Sequence, residues 1–374
     1  MRIGFDAKRF FHNRTGLGNY SRNLIKLLSD SYSENDYLLF NPKQSSKFSI
    51  KYYSSKVIEI LPLNFLLKKL NSLWRLYFIS NDIKNKGIEI YHGLSGELPI
   101  GLDNKIKKIV TIHDLIFIRY PHLYGFFDRK IYFWKFKYAA TKADIVIAIS
   151  EQTKRDIIHY LNVNPEKIEV IYQGCQDVFK KEYTFEEKKV VAEKYNLPKK
   201  FILNVGTIEE RKNALLIVKA INNIDTNLVL IGKKTKYTDQ IELFIKENHL
   251  KDKVLFLKGL TNVELAIIYQ LSTIFVYPSI FEGFGIPIIE ALYSKVPVIT
   301  NKYGVFPEAG GPNSIYIDPE NVAELEQQIN LLLLNPNLRK EIVNKGFKFV
   351  QKFNDDKIAK SIEDVYKNCL TNIF

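Results

Sequence analysis

Thr273–Asn301, TIFVYPSIFEGFGIPIIEALYSKVPVITN, is the stretch whose reading decides the fold. Thr273–Tyr277 is a β-branched and aromatic run, the pattern of a buried strand. Pro278 ends it. The loop FEGFGIP follows, with Gly283 and Gly285 two residues apart, and Pro287 stands where a helix starts, because its fixed φ suits the first helical positions. Ile288–Ser294 continues as that helix, and Val296–Thr300 reads as the next strand. The whole is one β-loop-α-β unit. Its loop lies at the carboxyl end of a strand and at a helix N-terminus, the usual ligand position in open α/β sheets. Amides at such a helix start favour an anion.

Two carboxylates bracket the unit. Glu282 lies in the loop, and Glu290 is expected on the first turn of the helix, eight positions on. Gly283 and Gly285 let the backbone come close to a ligand. A carboxylate only accepts hydrogen bonds, so two of them near amide donors suit a ligand rich in hydroxyls that also carries phosphate. On these residues alone a plainer alternative stays open: Glu290 complements the helix dipole and Glu282 is a solvated loop charge.

Outward from this unit the same alternation recurs. In the first half Arg2–Phe5, Tyr37–Phe40, Val57–Leu61, Ile88–His92, Lys108–Thr111, Ala143–Ser150 and Lys167–Tyr172 read as strands, with helices over Asn64–Asn81 and Glu151–Leu161. Gly16 and Gly18 are expected in a loop between the first strand and an amphipathic helix from about Asn19, a turn able to approach a phosphate. His113-Asp114 ends a strand, where an imidazole can polarise or donate to a substrate. Arg119–Thr141 interleaves aromatics with Arg129, Lys130, Lys135 and Lys137. Gly174–Thr184 reads as a link, and Phe185–Tyr195 as a helix entering the second half.

There Phe201–Val205 restarts the strands, followed by the loop GTIEERKN and a helix over Ala214–Asn222. Leu228–Ile231 and Val254–Leu257 are further strands, the second leading through Leu260 into the helix Val263–Leu271. Arg211 and Lys212 sit side by side before a helix. Cations are disfavoured at a helix N-terminus, so their placement argues for an anion between them, such as a diphosphate gripped bidentately by the guanidinium. Glu320–Leu334, Leu338–Gln351 and a last segment from about Asp355 read as helices.

With 374 residues, 46% hydrophobic and 25% charged, the chain suits two globular domains. Cys175 and Cys369 give no zinc spacing and no disulfide framework, which points to a reducing, cytoplasmic compartment. The start MRIGFDAKRF is not an apolar leader, and no apolar run reaches the ~20 residues of a membrane span. The net charge of +13 is uneven: residues 1–178 hold 27 Lys and Arg against 17 Asp and Glu. This basic half suits an anionic partner. Two surfaces are candidates for an anionic membrane leaflet: the aromatic-basic stretch with Phe126, Phe127 and Trp134, and a patch of Leu66, Leu67, Lys68, Lys69, Trp74 and Arg75.

The stretch E-G-F-G-I-P-x-x-E-A resembles the E-x7-E element of the retaining glycosyltransferases of family GT4. The order G-x-G at 16–18, HD at 113–114, R-K-N at 211–213 and E-x7-E at 282–290 carries that resemblance over the whole chain. It implies the GT-B fold, an α/β arrangement of two Rossmann-like domains facing each other across a cleft. The domains are then an acceptor-binding one over 1–175, a nucleotide-sugar-binding one over 185–354, and a C-terminal helix over 355–374 returning to the first. It further implies that Glu282 holds donor-sugar hydroxyls, that Gly283, Phe284, Gly285 and Ile286 contact sugar and phosphate through the backbone, and that Glu290 holds the ribose. Gly16 and Gly18 face the donor diphosphate, as do Gly206, Arg211 and Lys212, while Leu260 lies by the base and His113 beside the donor sugar. Thr207 departs from the pattern, since many relatives carry Arg there. The implied reaction moves a hexose, as in bacterial polysaccharide mannosyltransferases, from a nucleotide diphosphate sugar to a glycan or lipid-linked acceptor. No cofactor and no metal are expected, since no D-x-D motif stands near a nucleotide loop. A GT-B sugar-nucleotide epimerase is the enzymatic alternative. A nucleic-acid-binding protein is the other, and the sequence holds no recognition motif for it.

Overall fold

A computed structural model describes residues 1–45, 48–62, 70 and 73–371. The chain divides into two compact units, Met1–Gln173 with Asn354–Phe374, and Gly174–Phe353.

The first unit is built on β1 (Arg2–Asp6), β2 (Asp36–Phe40), β3 (Val57–Ile60), β4 (Ile90–Gly93), β5 (Lys107–Ile112), β6 (Ile145–Ala148) and β7 (Ile168–Val170). They form one parallel seven-stranded sheet in the order β3-β2-β1-β4-β5-β6-β7. Strands covered on both faces read as unbroken apolar runs, as in Ile145–Ala148, every residue of which is buried. Two cores result. Val110, Ile112, Val146 and Ala148 pack into one. Ile109, Ile145 and Ile147 pack into the other, together with Ile358, Ile362, Val365, Tyr366 and Cys369 of the helix Asp355–Thr371. The three- and four-residue spacing of those five side chains gives that helix one apolar stripe.

The second unit carries β8 (Phe201–Val205), β9 (Asn227–Ile231), β10 (Val254–Leu257), β11 (Ile274–Tyr277), β12 (Val298–Asn301) and β13 (Ile315–Ile317). They are parallel, in the order β10-β9-β8-β11-β12-β13. Helix starts follow the capping chemistry: Thr184 with Glu187, and Thr261 with Glu264, each form reciprocal side-chain-to-backbone pairs. Each sheet therefore reverses its strand order once, at β1/β4 and at β8/β11, and such switch points open a crevice beyond the carboxyl ends of the strands.

Several expectations change. A short helix Lys8–His12 follows β1, and the amphipathic helix read from about Asn19 spans Gly16–Ser31, so Gly16 and Gly18 lie in its first turn and not in a loop. Glu290 sits on the second turn of Ile286–Tyr293, whose first turn has no acidic residue, which removes the dipole explanation. The helix after the Arg211 loop is shorter than read, Ala214–Ala220. β13 was not read from the sequence because it has only three residues among glycines, prolines and an asparagine. Within 64–81, Trp74–Phe78 forms a π-helical turn that runs into the helix Ile79–Asn85. Leu66, Leu67, Lys68 and Lys69 lie outside the described residues. Trp74 is wholly buried and Arg75 is ion-paired, so neither belongs to a surface patch.

Candidate active site

In the second unit, the loops after β8 and β11 meet at the switch point. Ser279 ties them together, its Oγ 3.1 Å from the Arg211 carbonyl, while Asn213 Nδ2 donates at 2.7 Å to Pro319 O, in the segment after β13. The Ile280 amide donates to the Arg211 carbonyl at 2.8 Å. This pairing sets Arg211 and Lys212 opposite Glu282.

Four donors converge on one oxygen of Glu282. Arg211 Nη1 (2.8 Å), Tyr277 Oη (2.9 Å), Ser279 Oγ (2.7 Å) and Lys212 Nζ all reach Oε1. Among the described residues none donates to Oε2, which leaves that oxygen for a ligand hydroxyl. Burial pushes the carboxyl up, but Lys212 and Arg211 outweigh it and hold Glu282 down at about 2. Arg211 also donates to Glu209 Oε1 at 2.7 Å and to the Phe281 carbonyl at 2.5 Å. Lys212 Nζ is 2.6 Å from Tyr277 Oη. Arg211 and Lys212 are therefore not uncompensated cations at a helix start, as the sequence suggests. They lie on the 3-10 turn Glu210–Lys212 ahead of the helix, and Glu282 and Glu209 already answer their charge.

Glu290 is set apart from this cluster. Its Oε2 accepts from Tyr269 Oη at 3.0 Å, and burial raises the carboxyl to about 7, with the Tyr269 bond pulling the other way. Between the two carboxylates, Phe284 is buried against Phe353, and Gly285 takes φ 112° as the residue that starts the helix. A side chain there would be strained, so glycine is required for the sharp entry. Gly283 and Ile286 flank it, both half-buried. Gly206, at φ 144°, lies under the Lys212 side chain, Thr207 is exposed, and Leu260 precedes the capped helix Asn262–Leu271 that carries Tyr269. Tyr277, Ser279, Glu209 and Tyr269 were not singled out from the sequence. For Tyr277 and Ser279 a signal existed, since polar groups end a buried strand there.

In the first unit, His113 follows β5. Its Nε2 lies 2.9 Å from the Leu94 carbonyl and its Nδ1 3.0 Å from Gln173 Nε2. A carbonyl only accepts and an amide NH2 only donates, so the ring is the Nε2–H tautomer. Burial lowers its pKa to about 4 despite the Leu94 bond. His113 is thus a neutral, oriented ring and not a proton donor in this state. The edge of Tyr20 packs on it with ring centres 4.6 Å apart. Asp114 Oδ1 accepts from the Ile116 amide at 3.1 Å, bracing the loop. Gly18 is set by packing: a Cβ would stand 2.0 Å from the Asn13 carbonyl, and its amide donates to Asn13 Oδ1 at 3.3 Å. Gly16 has open space around it.

Two parallel Rossmann-like units, one carrying an acid–base cluster at its switch point, define the GT-B class of sugar-transferring enzymes. The family description "Glycosyltransferase Family 4" matches residues 14–177, and "Glycosyl transferases group 1" matches residues 185–349. The chain belongs to glycosyltransferase family 4 and is a hexosyltransferase. It is 29% identical to the O-antigen chain mannosyltransferase RfbU of Salmonella typhimurium over 68% of each chain. It is 24% identical to the O-antigen chain mannosyltransferase B of Escherichia coli, over 98% of this chain and all of that one. The solved sucrose-phosphate synthase of Thermosynechococcus elongatus matches its fold with TM-score 0.79 at 20% identity, over the whole of both chains.

Proposed function

We propose that the enzyme transfers mannose from GDP-mannose, with retention of configuration, to a hydroxyl of a cell-surface glycan or lipid-linked oligosaccharide. The observation that carries this reading is the Glu282 cluster: one oxygen saturated by four donors, the other left for a sugar hydroxyl, with two cations alongside. Arg211 has further N–H groups and Lys212 a third proton, so both can still donate to a diphosphate as charge develops on it. Glu282 then orients the sugar, and Glu290 accepts from the ribose. His113, with its ring fixed at the carboxyl end of β5, is assigned to the donor sugar, which its neutral ring or carbonyl would contact. The relatives named above as mannosyltransferases support the sugar. The leaving diphosphate accepts the acceptor's proton, and the reaction needs neither cofactor nor metal.

The first unit also suits an anionic membrane surface on the cytoplasmic side. In the helix Phe126–Lys142 only Ala139 and Ala140 are buried, while Phe126, Phe127 and Trp134 are 61%, 79% and 49% exposed. Exposed aromatics among Arg129, Lys130 and Lys137 fit a headgroup layer. Among the described residues no helix is long and apolar enough to cross a membrane.

Product analysis with GDP-mannose, UDP-glucose and dTDP-sugars tests the reaction. Transfer from GDP-mannose to a mannoside acceptor with an α-linked product is expected. Release or inversion of free sugar without transfer would overturn it.

A further inference from the structure

Three segments of the first unit hold His113. Its Nε2–H faces the Leu94 carbonyl, just after β4, at 2.9 Å. Its own carbonyl accepts from Thr153 Oγ1 at 3.2 Å, in the first turn of the helix Glu151–Leu161. Thr153 is pinned there, since its amide donates to Ser150 Oγ at 3.0 Å. The third holder is Gln173, whose Nε2 lies 3.0 Å from the ring Nδ1. Gln173 stands shortly beyond β7, at the last position before the chain enters the second unit.

The chemistry of that partner is specific. A histidine that moves protons is commonly oriented by a carboxylate, which also stabilises the imidazolium. Gln173 offers an amide instead. The amide makes a directional bond to Nδ1 but brings no charge, so it orients the ring without inviting a proton onto it. The surroundings act the same way. The titratable groups around the ring are Arg9, His92, Tyr20 and Asp114. Burial, and then Arg9, oppose a proton on His113, against the Leu94 bond. Burial holds His92 neutral and the Tyr20 phenol protonated. The Asp114 carboxylate turns Oδ1 to the Ile116 amide at 3.1 Å.

An uncharged ring suits the position assigned to it. Breaking the bond at an anomeric carbon builds positive charge on the sugar ring. An imidazolium a few Å away would oppose that charge, slowing the step about 100-fold at an effective dielectric of about 20. We propose that Gln173 is a positioning residue for the transfer, orienting the His113 ring at the donor sugar while leaving it uncharged. The inference rests on the assignment of His113 to the donor sugar made above.

Gln173→Glu puts a carboxylate in the amide's place, and Gln173→Met keeps the length without the donor. The full chain is prepared with isotope-labelled histidine and read by nitrogen NMR, the His113 signals being those lost in His113→Ala. Turnover is followed with GDP-mannose and a mannoside acceptor, or with UDP-glucose if the parent uses that donor. The parent should show His113 as the neutral Nε2–H tautomer at about pH 7. Gln173→Glu should show an imidazolium, lower kcat about 100-fold and leave the donor KM within about 3-fold. The ratio of its kcat to the parent's should climb as pH rises, because a ring whose pKa has been raised sheds its proton there. Gln173→Met should keep the ring neutral and lower kcat about 5-fold, for one neutral hydrogen bond lost, without that pH trend. Thermal unfolding checks that both variants fold.

An unchanged ring signal in Gln173→Glu overturns the proposal, whatever the activity. So does a charged ring with parental turnover while His113→Ala is slow. Parental turnover in His113→Ala as well removes His113 from the donor sugar, and the proposal falls with that assignment. A parent that transfers sugar from neither donor sinks the GDP-mannose reading, and the ring signals still decide whether Gln173 sets the state of His113.

Discussion

Tyr269 Oη donates to Glu290 Oε2 at 3.0 Å, and among the described residues it is the only side chain to do so. The carboxylate thus has one donor in a buried place, and its proton leaves only at about pH 7. The ionised form accepts hydroxyls through both oxygens, whereas the protonated form gives up part of that capacity to its own O–H and is the weaker acceptor. Nucleoside diphosphate affinity should therefore rise as pH rises through about 7. Glu290→Gln should bind more weakly and lose that slope. Tyr269→Phe should move the midpoint upward, because the bond that favours ionisation is gone. Calorimetry across this range reads all three. Stability runs the opposite way. A carboxyl whose folded pKa is raised contributes stability below the ordinary carboxylate range and loses it as pH rises through about 7.

Glu282 is expected to behave differently. Glu282→Gln should lower transfer about 100-fold and leave nucleoside diphosphate binding within about 3-fold, since its unused oxygen is assigned to the sugar. It should also cost about 2–3 kcal/mol of stability, because Arg211 and Lys212 lose their shared counter-charge. Steady-state kinetics, calorimetry and urea unfolding check the three parts. Equal losses of nucleotide affinity in Glu282→Gln and Glu290→Gln would reject the division of labour.

Lys212→Ala should lower kcat/KM about 100-fold, through loss of a charge-assisted contact where charge develops. Because Lys212 and Glu282 share one bond network, the double variant should fall well short of the summed losses. A double-mutant cycle measures this. Additive losses would mean that the two residues act on separate parts of the donor.

Vesicle sedimentation tests the surface helix. The protein should pellet with anionic vesicles at low salt and be released at high salt. Replacing Arg129, Lys130 and Lys137 together by Glu should weaken binding by at least ~1 kcal/mol per lost cation. Phe127→Ala should weaken it without changing the salt dependence. A protein that stays in the supernatant on anionic vesicles at low salt has no such face.

Among the described residues, twelve of the thirteen strands were legible because parallel strands covered on both faces leave unbroken runs such as FILNV and IFVY. Motif spacing named Glu282, Arg211 and Lys212, yet misjudged what they first meet. A sequence shows that cations precede a helix. It does not show that a loop seventy residues later brings a carboxylate between them. Tyr269 was hidden for the same reason: it reads as an apolar-run aromatic, and only the fold reveals that its hydroxyl ends on Glu290. Gly18 was legible as a glycine needed near a helix start, and the fold adds a packing reason for it, since the Asn13 carbonyl leaves no room for a Cβ.

The helix Asp355–Thr371 belongs to the unit that begins the chain, and Tyr366 Oη lies 2.7 Å from His92 Nδ1 at the heart of it. His92 Nε2 in turn lies 2.8 Å from Thr111 Oγ1, beside Tyr20 and the ring of His113. During synthesis the middle unit, being continuous, can close as soon as it leaves the ribosome. The opening unit must wait, with one core uncovered, for the last residues to emerge. A chain stopped after Phe353 should therefore keep one cooperative transition and lose or broaden the other, and the His113 position would be left without its furthest support.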